Sequence, residues 1–496
     1  MSKLPYIAFT PDQVRELDRR AIQDHGIPGY GLMCRAGKAA FDAGLARFTQ
    51  ARHWLVMCGA GNNAGDGYVI ARLARAAGCE VTVVAVTDPL RLKGDARKAF
   101  EDFRAEGGTT QPYDPVTCPA GDLVVDAMLG TGLERDLEGK YLEAVIGANQ
   151  SGKPILAIDV PTGINSLSGE LMGDAICAQM TVSFVGQKQG LYLADGPEYS
   201  GEVLFDDIGV PESLAADFQP SFRIFNQADL SKLLPVRPRQ GHKGMFGHVL
   251  VIGGNKGMAG AARLAGEAAL RSGAGLVSVA TRDENVAAIV SGRPELMVTG
   301  VEYADALSGL TERADVIAIG PGLGQDDWAK QCFERVIEID KPKVIDADAL
   351  NLLVDARLRR NDWVLTPHPG EAARLLGTDT ISVQRDRLGA VRELQSRYGG
   401  SVVLKGHCSL IAGEQALSLL VRQGNPGMAS AGMGDVLTGL TAGLLAQTKG
   451  LQLPAAAAVY IHGSAGDLAV EQGAHISERG LIASDVLEQI RFLVNP

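Results

Sequence analysis

His53-Trp54-Leu55-Val56-Met57-Cys58-Gly59-Ala60-Gly61-Asn62-Asn63-Ala64-Gly65-Asp66-Gly67 decides how the first half of the chain folds. Its first six residues are mostly apolar and stop at glycines, which reads as a short buried strand running into a loop. Tyr68 to Ala77 then reads as helix, and Cys79-Glu80-Val81-Thr82-Val83-Val84-Ala85-Val86 as the next strand. A strand, glycine loop, helix and strand in that order opens a parallel α/β sheet. The loop meets a helix N-terminus, where unpaired amides attract phosphate.

Such a unit can hold a pyrophosphate as dinucleotide-binding folds do, and Asp88 falls near the place of a ribose-binding acid. Asn62, Asn63 and Asp66, however, fill the loop with side chains that this purpose does not need. Further along, Leu123-Val124-Val125-Asp126-Ala127-Met128 is a strand carrying one acid, followed by Leu129-Gly130-Thr131-Gly132-Leu133-Glu134-Arg135-Asp136. Pro154 to Val160 is another, with Asp159 near its end and Pro161-Thr162-Gly163 beyond it. A carboxylate at the end of an apolar strand is costly unless paired or used. In an open parallel sheet the strand C-terminal ends converge, so Asn62, Asn63, Asp126 and Asp159 are expected to meet in one crevice. An oxygen-rich rim without His or Cys favours a hard cation. Ahead of all this, Thr10-Pro11 starts a helix with Val14, Leu17, Ala21 and Ile22 at helical spacing, expected to pack as an arm or lid. Strands Thr181–Val185 and Gly201–Phe205 follow the crevice strands, and 206–220 reads as the exit from the sheet.

Strand and helix signals restart once, near residue 220, giving expected domains 1–220 and 221–496. The second half alternates again: strand from His248, helix Ala259 to Ser272, strands Gly275–Ala280 and Asp315–Ile319, helix Asp327 to Ile339, strands Lys343–Asp346 and Trp363–Thr366. This is a second doubly wound α/β pattern. Its chemistry gathers near Asn425-Pro426-Gly427-Met428-Ala429-Ser430-Ala431-Gly432-Met433-Gly434-Asp435-Val436-Leu437-Thr438-Gly439. There the amides of Gly432 and Gly434 would point from a helix N-terminus beside the single acid Asp435, an arrangement suited to phosphoryl transfer. Gly320-Pro321-Gly322-Leu323-Gly324, Asp346-Ala347-Asp348 and Thr366-Pro367-His368-Pro369-Gly370-Glu371 follow other strands, and two prolines hold His368 in an extended loop. Ser401 to Leu404 is a strand ending in Lys405-Gly406, with a lysine suited to an anion's charge.

Composition bounds the rest. At 496 residues the chain is too long for one core. Hydrophobic content of 46% and charged content of 21% are those of an ordinary globular protein. A formal charge of −11 disfavours nonspecific binding to nucleic acid or anionic membrane. Seven scattered cysteines, Cys118 among them, form no Cys-x-x-Cys pair, so no disulfide framework or zinc site is expected. Without a signal-like segment or a long apolar run, a cytoplasmic protein is expected.

Taken together, GNNAGDG, VVDAMLGTG and AIDVPTGI in the first half, and GPGLG, DADALN, TPHPGE, LKG and NPGMASAGMGDVLTG in the second, resemble the bifunctional NAD(P)H-hydrate repair family. The resemblance covers nearly the whole chain. It implies a Rossmann-like NAD(P)HX epimerase domain followed by a ribokinase-like, ADP-dependent NAD(P)HX dehydratase domain. It further implies that Asn62, Asn63, Ala64, Gly65, Asp66, Gly130, Thr131, Gly132, Leu133, Glu134, Arg135, Asp136 and Asp159 bind the hydrated nucleotide in the first domain. A potassium ion would be held by Asn63, Asp126 and Thr162. In the second domain Ala261, Gly322, His368 and Asp435 would contact the hydrate. Lys405, Gly406, His407, Cys408, Ser409 and Gly434 would contact ADP, with Mg²⁺ as its companion. Ala64 departs from the pattern, where glycine is common. Asp435 is the expected base of the dehydratase, and Asp159 the expected acid or base of the epimerase, with Asp66 and Asp136 as alternatives. The expected partners are NADHX, NADPHX and ADP, with the chain as a homo-oligomer. Two other readings fit the same residues: a ribokinase-like small-molecule kinase with an accessory Rossmann domain, and a non-enzymatic first half that is a nucleotide-sensing or partner-binding module.

Overall fold

The computed structural model describes residues 4–116, 121–356, 358–471 and 478–496, so Cys118 lies outside the described residues. The chain divides into two compact units, Met1–Phe222 and Arg223–Pro496. The six described cysteines are free thiols.

In the first unit the main sheet has seven strands, β1 (His53–Cys58), β2 (Glu80–Ala85), β3 (Thr110–Pro112), β4 (Leu123–Ala127), β5 (Ile155–Ile158), β6 (Met180–Phe184) and β7 (Glu202–Asp206), and Ile7–Phe9 and Gln187–Lys188 form a short parallel pair outside it. They pair in the order β3-β2-β1-β4-β5-β6-β7, all parallel. The sheet starts at β1 and winds outward in both directions, which opens a crevice beyond the C-terminal ends of β1 and β4. Apolar side chains bury both faces: Trp54, Val56 and Tyr68 belong to one core and Leu55, Met57 and Ala144 to the other. Before the sheet come α1 (Pro11–Gln23) and α2 (Gly29–Arg47). Thr10 caps α1 by accepting from Gln13 N, and Gln13 answers by accepting from Thr10 N. This reciprocal cap fixes where the helix begins. Val14, Leu17 and Ala21 are buried as their spacing implies, whereas Ile22 is exposed.

The glycine run after β1 is helix rather than loop. The helix α3 spans Asn62–Ala76, starting six residues before the expected Tyr68. Its glycines serve close packing. A Cβ on Gly67 would lie 2.6 Å from Ala127 Cβ on β4, so a larger residue would push the helix off the sheet. Ala64 is helical and fully buried, and alanine is well suited there.

In the second unit the strands that frame the site are β8 (His248–Ile252), β9 (Leu276–Thr281), β10 (Met297–Gly300), β11 (Val316–Ile319), β12 (Lys343–Ile345), β13 (Trp363–Leu365), β14 (Ser401–Leu404), β15 (Ser409–Ala412) and β16 (Leu419–Val421), and the short strand Phe222–Ile224 pairs in parallel with the last of them. Their order is β10-β9-β8-β11-β12-β13-β14-β15-β16, with β14, β15 and β16 antiparallel to their successive neighbours and the other pairs parallel. Helices α4 (Ala259–Arg271), α5 (Pro369–Leu376), α6 (Met433–Leu445) and α7 (Gln452–Val470) matter for the site. Gly439 on α6 faces the carbonyl of Ala265 on α4 so closely that a Cβ has no room. That contact seats the N-terminus of α6 above the ends of the parallel strands.

Candidate functional sites, one in each unit

In the first unit a cavity of ≈ 490 Å³ opens beyond the strand ends. Asn62, Asn63, Asp66, Gly130, Thr131, Gly132 and Asp159 line it, as do Asp18 of α1 and Lys188. Ala64 and Gly65 are buried within α3, and Leu133, Glu134, Arg135 and Asp136 lie outside the lining, the last three exposed.

Asp159 follows β5 in a left-handed conformation, φ 69°, where a non-glycine residue is strained. Its Oδ1 is paired with Lys188 Nζ, which also donates to Phe184 O at 2.8 Å and Ser183 Oγ at 3.3 Å. Lys188 is only 2% exposed, and a cation so buried requires this anion. Asp66 and Asp18 are half-buried and make no hydrogen bond or ion pair among the described residues. Burial, with Asp159 and Asp18 nearby, holds the Asp66 carboxyl well above the usual range, while Lys188 opposes the shift. Burial raises Asp18 to about 6, with Lys188 lowering and Asp159 adding to the rise. One cation thus serves three carboxyl groups.

Below the cavity Asp126 is fully buried in β4. Its Oδ2 accepts from Thr162 N at 2.8 Å, and Oδ1 from Thr162 Oγ1 at 2.7 Å and Met128 N at 3.2 Å. Burial outweighs these donors and raises its pKa to about 6. No cationic side chain pairs with it among the described residues, and Asn63 Nδ2 is buried without a partner. A buried carboxylate without a counter-charge, next to hydroxyl and amide groups, is chemically suited to a monovalent cation. Sequence reasoning missed Asp18 and Lys188. For Asp18 the signal was an acid within the apolar stripe Val14, Leu17 and Ala21; Lys188 gave none, being one lysine beyond a strand.

In the second unit a cavity of ≈ 610 Å³ is lined by His368, Lys405, Gly406, His407, Ser409 and Gly434, with Met428, Met433, Leu437 and Val459 as apolar wall. Cys408 turns into the core, where burial pushes its thiol up to about 11, although Arg387 and Arg422 oppose the shift. Asp435, Gly322 and Ala261 do not line this cavity. They border the strand ends beside it. A Cβ on Gly322 would lie 3.1 Å from Ala261 Cβ, and Asp348 accepts from Gly324 N at 2.8 Å.

Gly432 begins α6 at φ 89°, a conformation that favours glycine, and leaves the first amides of the helix pointing outward. Behind them Asp346 is buried, accepting from Lys405 Nζ at 3.0 Å, Thr366 Oγ1 at 2.8 Å and Thr438 Oγ1 at 2.6 Å. Burial lowers the Lys405 pKa, but Asp346, Glu371 and Asp435 outweigh it, so the ammonium is stabilised overall. Burial and Asp346 push Asp435 up to about 7, against the pull of Lys405. An acid poised there can take a hydroxyl proton near neutral pH.

His368 is not an ornament on an extended loop: it is the N-cap of α5. Its Nδ1 accepts from Gly370 N at 3.0 Å and Glu371 N at 3.3 Å, while Glu371 Oε2 accepts from His368 N at 2.7 Å. Burial and Lys405 lower its pKa, and the cap requires the neutral ring. His462 on α7 also lines the cavity, unnoticed in the sequence because it lies in an apolar helix. Burial lowers it to about 4, and its Nε2 has no partner.

A doubly wound Rossmann-like unit with an acid-lined cavity, followed by a unit with a glycine-turn anion site, defines a two-site α/β protein of the Rossmann-like and ribokinase-like classes. Family models match both parts: NAD(P)H-hydrate dehydratase over residues 249–489 and YjeF-related protein N-terminus over 29–190. The bifunctional NAD(P)H-hydrate repair enzyme Nnr of Coxiella burnetii is 48% identical over 490 residues, covering 99% of this chain and all of that one. That of Escherichia coli K12 is 41% identical, covering 99% of this chain and 95% of its own. Among solved structures, a Bacillus subtilis ADP/ATP-dependent NAD(P)H-hydrate dehydratase, co-crystallised with ATP and Mg²⁺, is 31% identical with TM-score 0.50, covering 54% of this chain and 96% of that one. An Enterococcus faecalis ribokinase-like superfamily protein matches at 31% identity and TM-score 0.51, covering 56% of this chain and 97% of that one. The chain belongs to the bifunctional NAD(P)H-hydrate repair enzyme family.

Proposed function

We propose that the protein repairs hydrated nicotinamide cofactors: the first unit, with its expected span 1–220, interconverts R and S NAD(P)HX, and the second, 221–496, dehydrates the S form with ADP. The observation that carries this reading is Asp435 beside the open α6 N-terminus and the Lys405–Asp346 pair. Hydration leaves a hydroxyl on C6 of the nicotinamide ring, and hydroxide is a poor leaving group. Asp435 takes the hydroxyl proton as the oxygen attacks the terminal phosphoryl group of ADP, and the amides of the glycine turn meet the developing charge. The ring nitrogen's electrons then expel phosphate, leaving AMP and NAD(P)H. Lys405, Gly406, His407, Ser409 and Gly434 would form the nucleotide side, with Cys408 taking part through its backbone, and Gly322, Ala261 and His368 would lie toward the hydrate.

Mg²⁺ would accompany the phosphates of ADP and neutralise part of their charge. In the first unit Asn63, Asp126 and Thr162 are the residues that would hold potassium, which would supply the positive charge that Asp126 lacks. Asn62, Asn63, Asp66, Gly130, Thr131, Gly132 and Asp159 would form the hydrate site, with Ala64 and Gly65 behind it in α3, Leu133 to Asp136 flanking it and Asp159 exchanging the proton. NADHX, NADPHX and ADP are the small-molecule partners. We take the setting to be cytoplasmic and the chain to self-associate; among the described residues no helix is long and apolar enough to cross a membrane.

The test is incubation with mixed R and S hydrates and ADP, followed by absorbance of the reduced cofactor and assay of AMP and phosphate. Complete conversion supports both activities. A stop at the S fraction removes the epimerase, and a phosphorylated product that persists without release of NAD(P)H replaces the dehydratase with a kinase.

A further inference from the structure

Asp18 has no structural employment. It lies on α1 in register with the buried Val14, Leu17 and Ala21, yet it lines the first-unit cavity and makes no hydrogen bond or ion pair among the described residues. A half-buried carboxyl group without a partner is retained at a cost, which is the usual condition of a group that works on a ligand. The cavity itself points to a ligand: Asn63 Nδ2, on a side chain only 8% exposed, lines it without a hydrogen-bond partner. Lys188 is committed to Asp159, Phe184 O and Ser183 Oγ, which leaves Asp18, Asp66 and Asp95 as the lining acids not held by an ion pair among the described residues. Of these, Asp66 shares α3 with Asn62 and Asn63, and Asp95 lies against Gly29 at the start of α2, whereas Asp18 comes from a separate element, α1.

We propose that Asp18 is a second catalytic residue of the epimerase site, exchanging a proton with the C6 oxygen of the hydrate on one face of the ring while Asp159 does so on the other. The proposal rests on the epimerase reading above. C6 carries both the hydroxyl and the ring nitrogen, so the C6–O bond can break heterolytically. Asp18 gives its proton to the departing oxygen, which leaves as water. The N1 lone pair forms an N1=C6 double bond, and the hydrogens on C5 stay in place. Water then adds to C6 from the other face, its electron pair making the new C6–O bond and its proton passing to Asp159. The enzyme is left with Asp18 ionised and Asp159 protonated. That form catalyses the reverse direction, or returns to the first by proton exchange with solvent. No oxidant or reductant is needed, and one water leaves as one enters.

The other titratable or charged groups lining the cavity are Arg15, Asp66, Asp95, Asp159 and Lys188. Burial favours a protonated Asp18, opposed by Lys188 and supported by Asp159. For exchange starting from this form, the rate should therefore fall as pH rises from about 6 to 8.

The experiment follows R-to-S exchange in the full-length protein by chromatography, without ADP and with the uncatalysed rate subtracted. Asp18→Asn is expected to lower exchange at least 100-fold with an unchanged melting temperature, and to lose the fall between pH 6 and 8. Asp18→Glu is expected to recover part of the rate. In H₂¹⁸O the product hydroxyl should carry the label. Exchange at wild-type rate in folded Asp18→Asn, or product without label, overturns the role of Asp18 while leaving the epimerase in place. Wild-type protein that exchanges nothing overturns the epimerase reading and this proposal with it.

Discussion

Asp435 ionises near neutrality because burial and Asp346 together outweigh the attraction of Lys405. As the proposed base it must be ionised, so dehydration should climb as pH rises through about 7 and level off above it. Asp435→Asn should lower kcat by about 10²–10⁴-fold, the usual worth of a general base, with ADP affinity within a factor of about three. Single-turnover kinetics and calorimetry separate the two effects; equal loss in both would make Asp435 a binding residue. His462 allows a second prediction at this scale. An unsatisfied buried nitrogen costs about 1–3 kcal/mol, which a nucleotide partner would recover. His462→Phe should therefore weaken ADP binding about tenfold without lowering the melting temperature, and unchanged affinity would remove His462 from nucleotide recognition. These side chains were unequally legible. Asp435 stood out because an acid interrupts a glycine-rich turn, whereas His462, Lys188 and Asp346 acquire meaning only from neighbours distant in sequence.

Among elements, the turn between β14 and β15 shows how the anion site is held. Arg387 is only 6% exposed, and its Nη2 donates to the carbonyls of Leu404, Lys405 and Cys408 at 3.3, 3.2 and 3.1 Å. Its guanidinium occupies the space that a Cβ on Gly406 would need. Arg387→Ala should loosen the turn that presents Lys405, raising KM for ADP about tenfold, with a smaller change in kcat. Steady-state kinetics at saturating hydrate tests this; a fall in kcat alone would contradict it. The α4–α6 contact makes a different demand. Gly439→Ala forces the helices apart against the Ala265 carbonyl, so it should destabilise the protein by about 1–3 kcal/mol in urea unfolding. Strand positions were readable from apolar runs bounded by glycine and proline. The start of α3 was not, because glycines that mark a loop in sequence are, at Gly67, the result of a helix pressed onto a sheet.

At the scale of the molecule, two sites in two compact units imply that the S hydrate passes between them. If the transfer occurs through solution, an equimolar mixture of Asp159→Asn and Asp435→Asn proteins with ADP should convert R and S hydrates completely. A mixture that stalls after the S fraction would show transfer confined to one chain. The proposed cation site is also testable globally. Potassium replacing tetramethylammonium at ten times its Kd should stabilise the folded first unit by about 1.4 kcal/mol. Asp126→Asn should abolish the potassium-dependent rise in melting temperature. The sequence by itself determined the α/β alternation, the two-part organisation and the acids at strand ends, because apolar periodicity, glycine punctuation and misplaced charge are local properties of the chain. Only the tertiary structure decided that Asp18 from α1 joins Asp66, Asp159 and Lys188, that His368 is committed as a helix cap, and that Glu134, Arg135 and Asp136 lie outside the cavity. The physical reason is that burial and pairing are set by what packs against a side chain, and those neighbours come from elements far apart in the sequence.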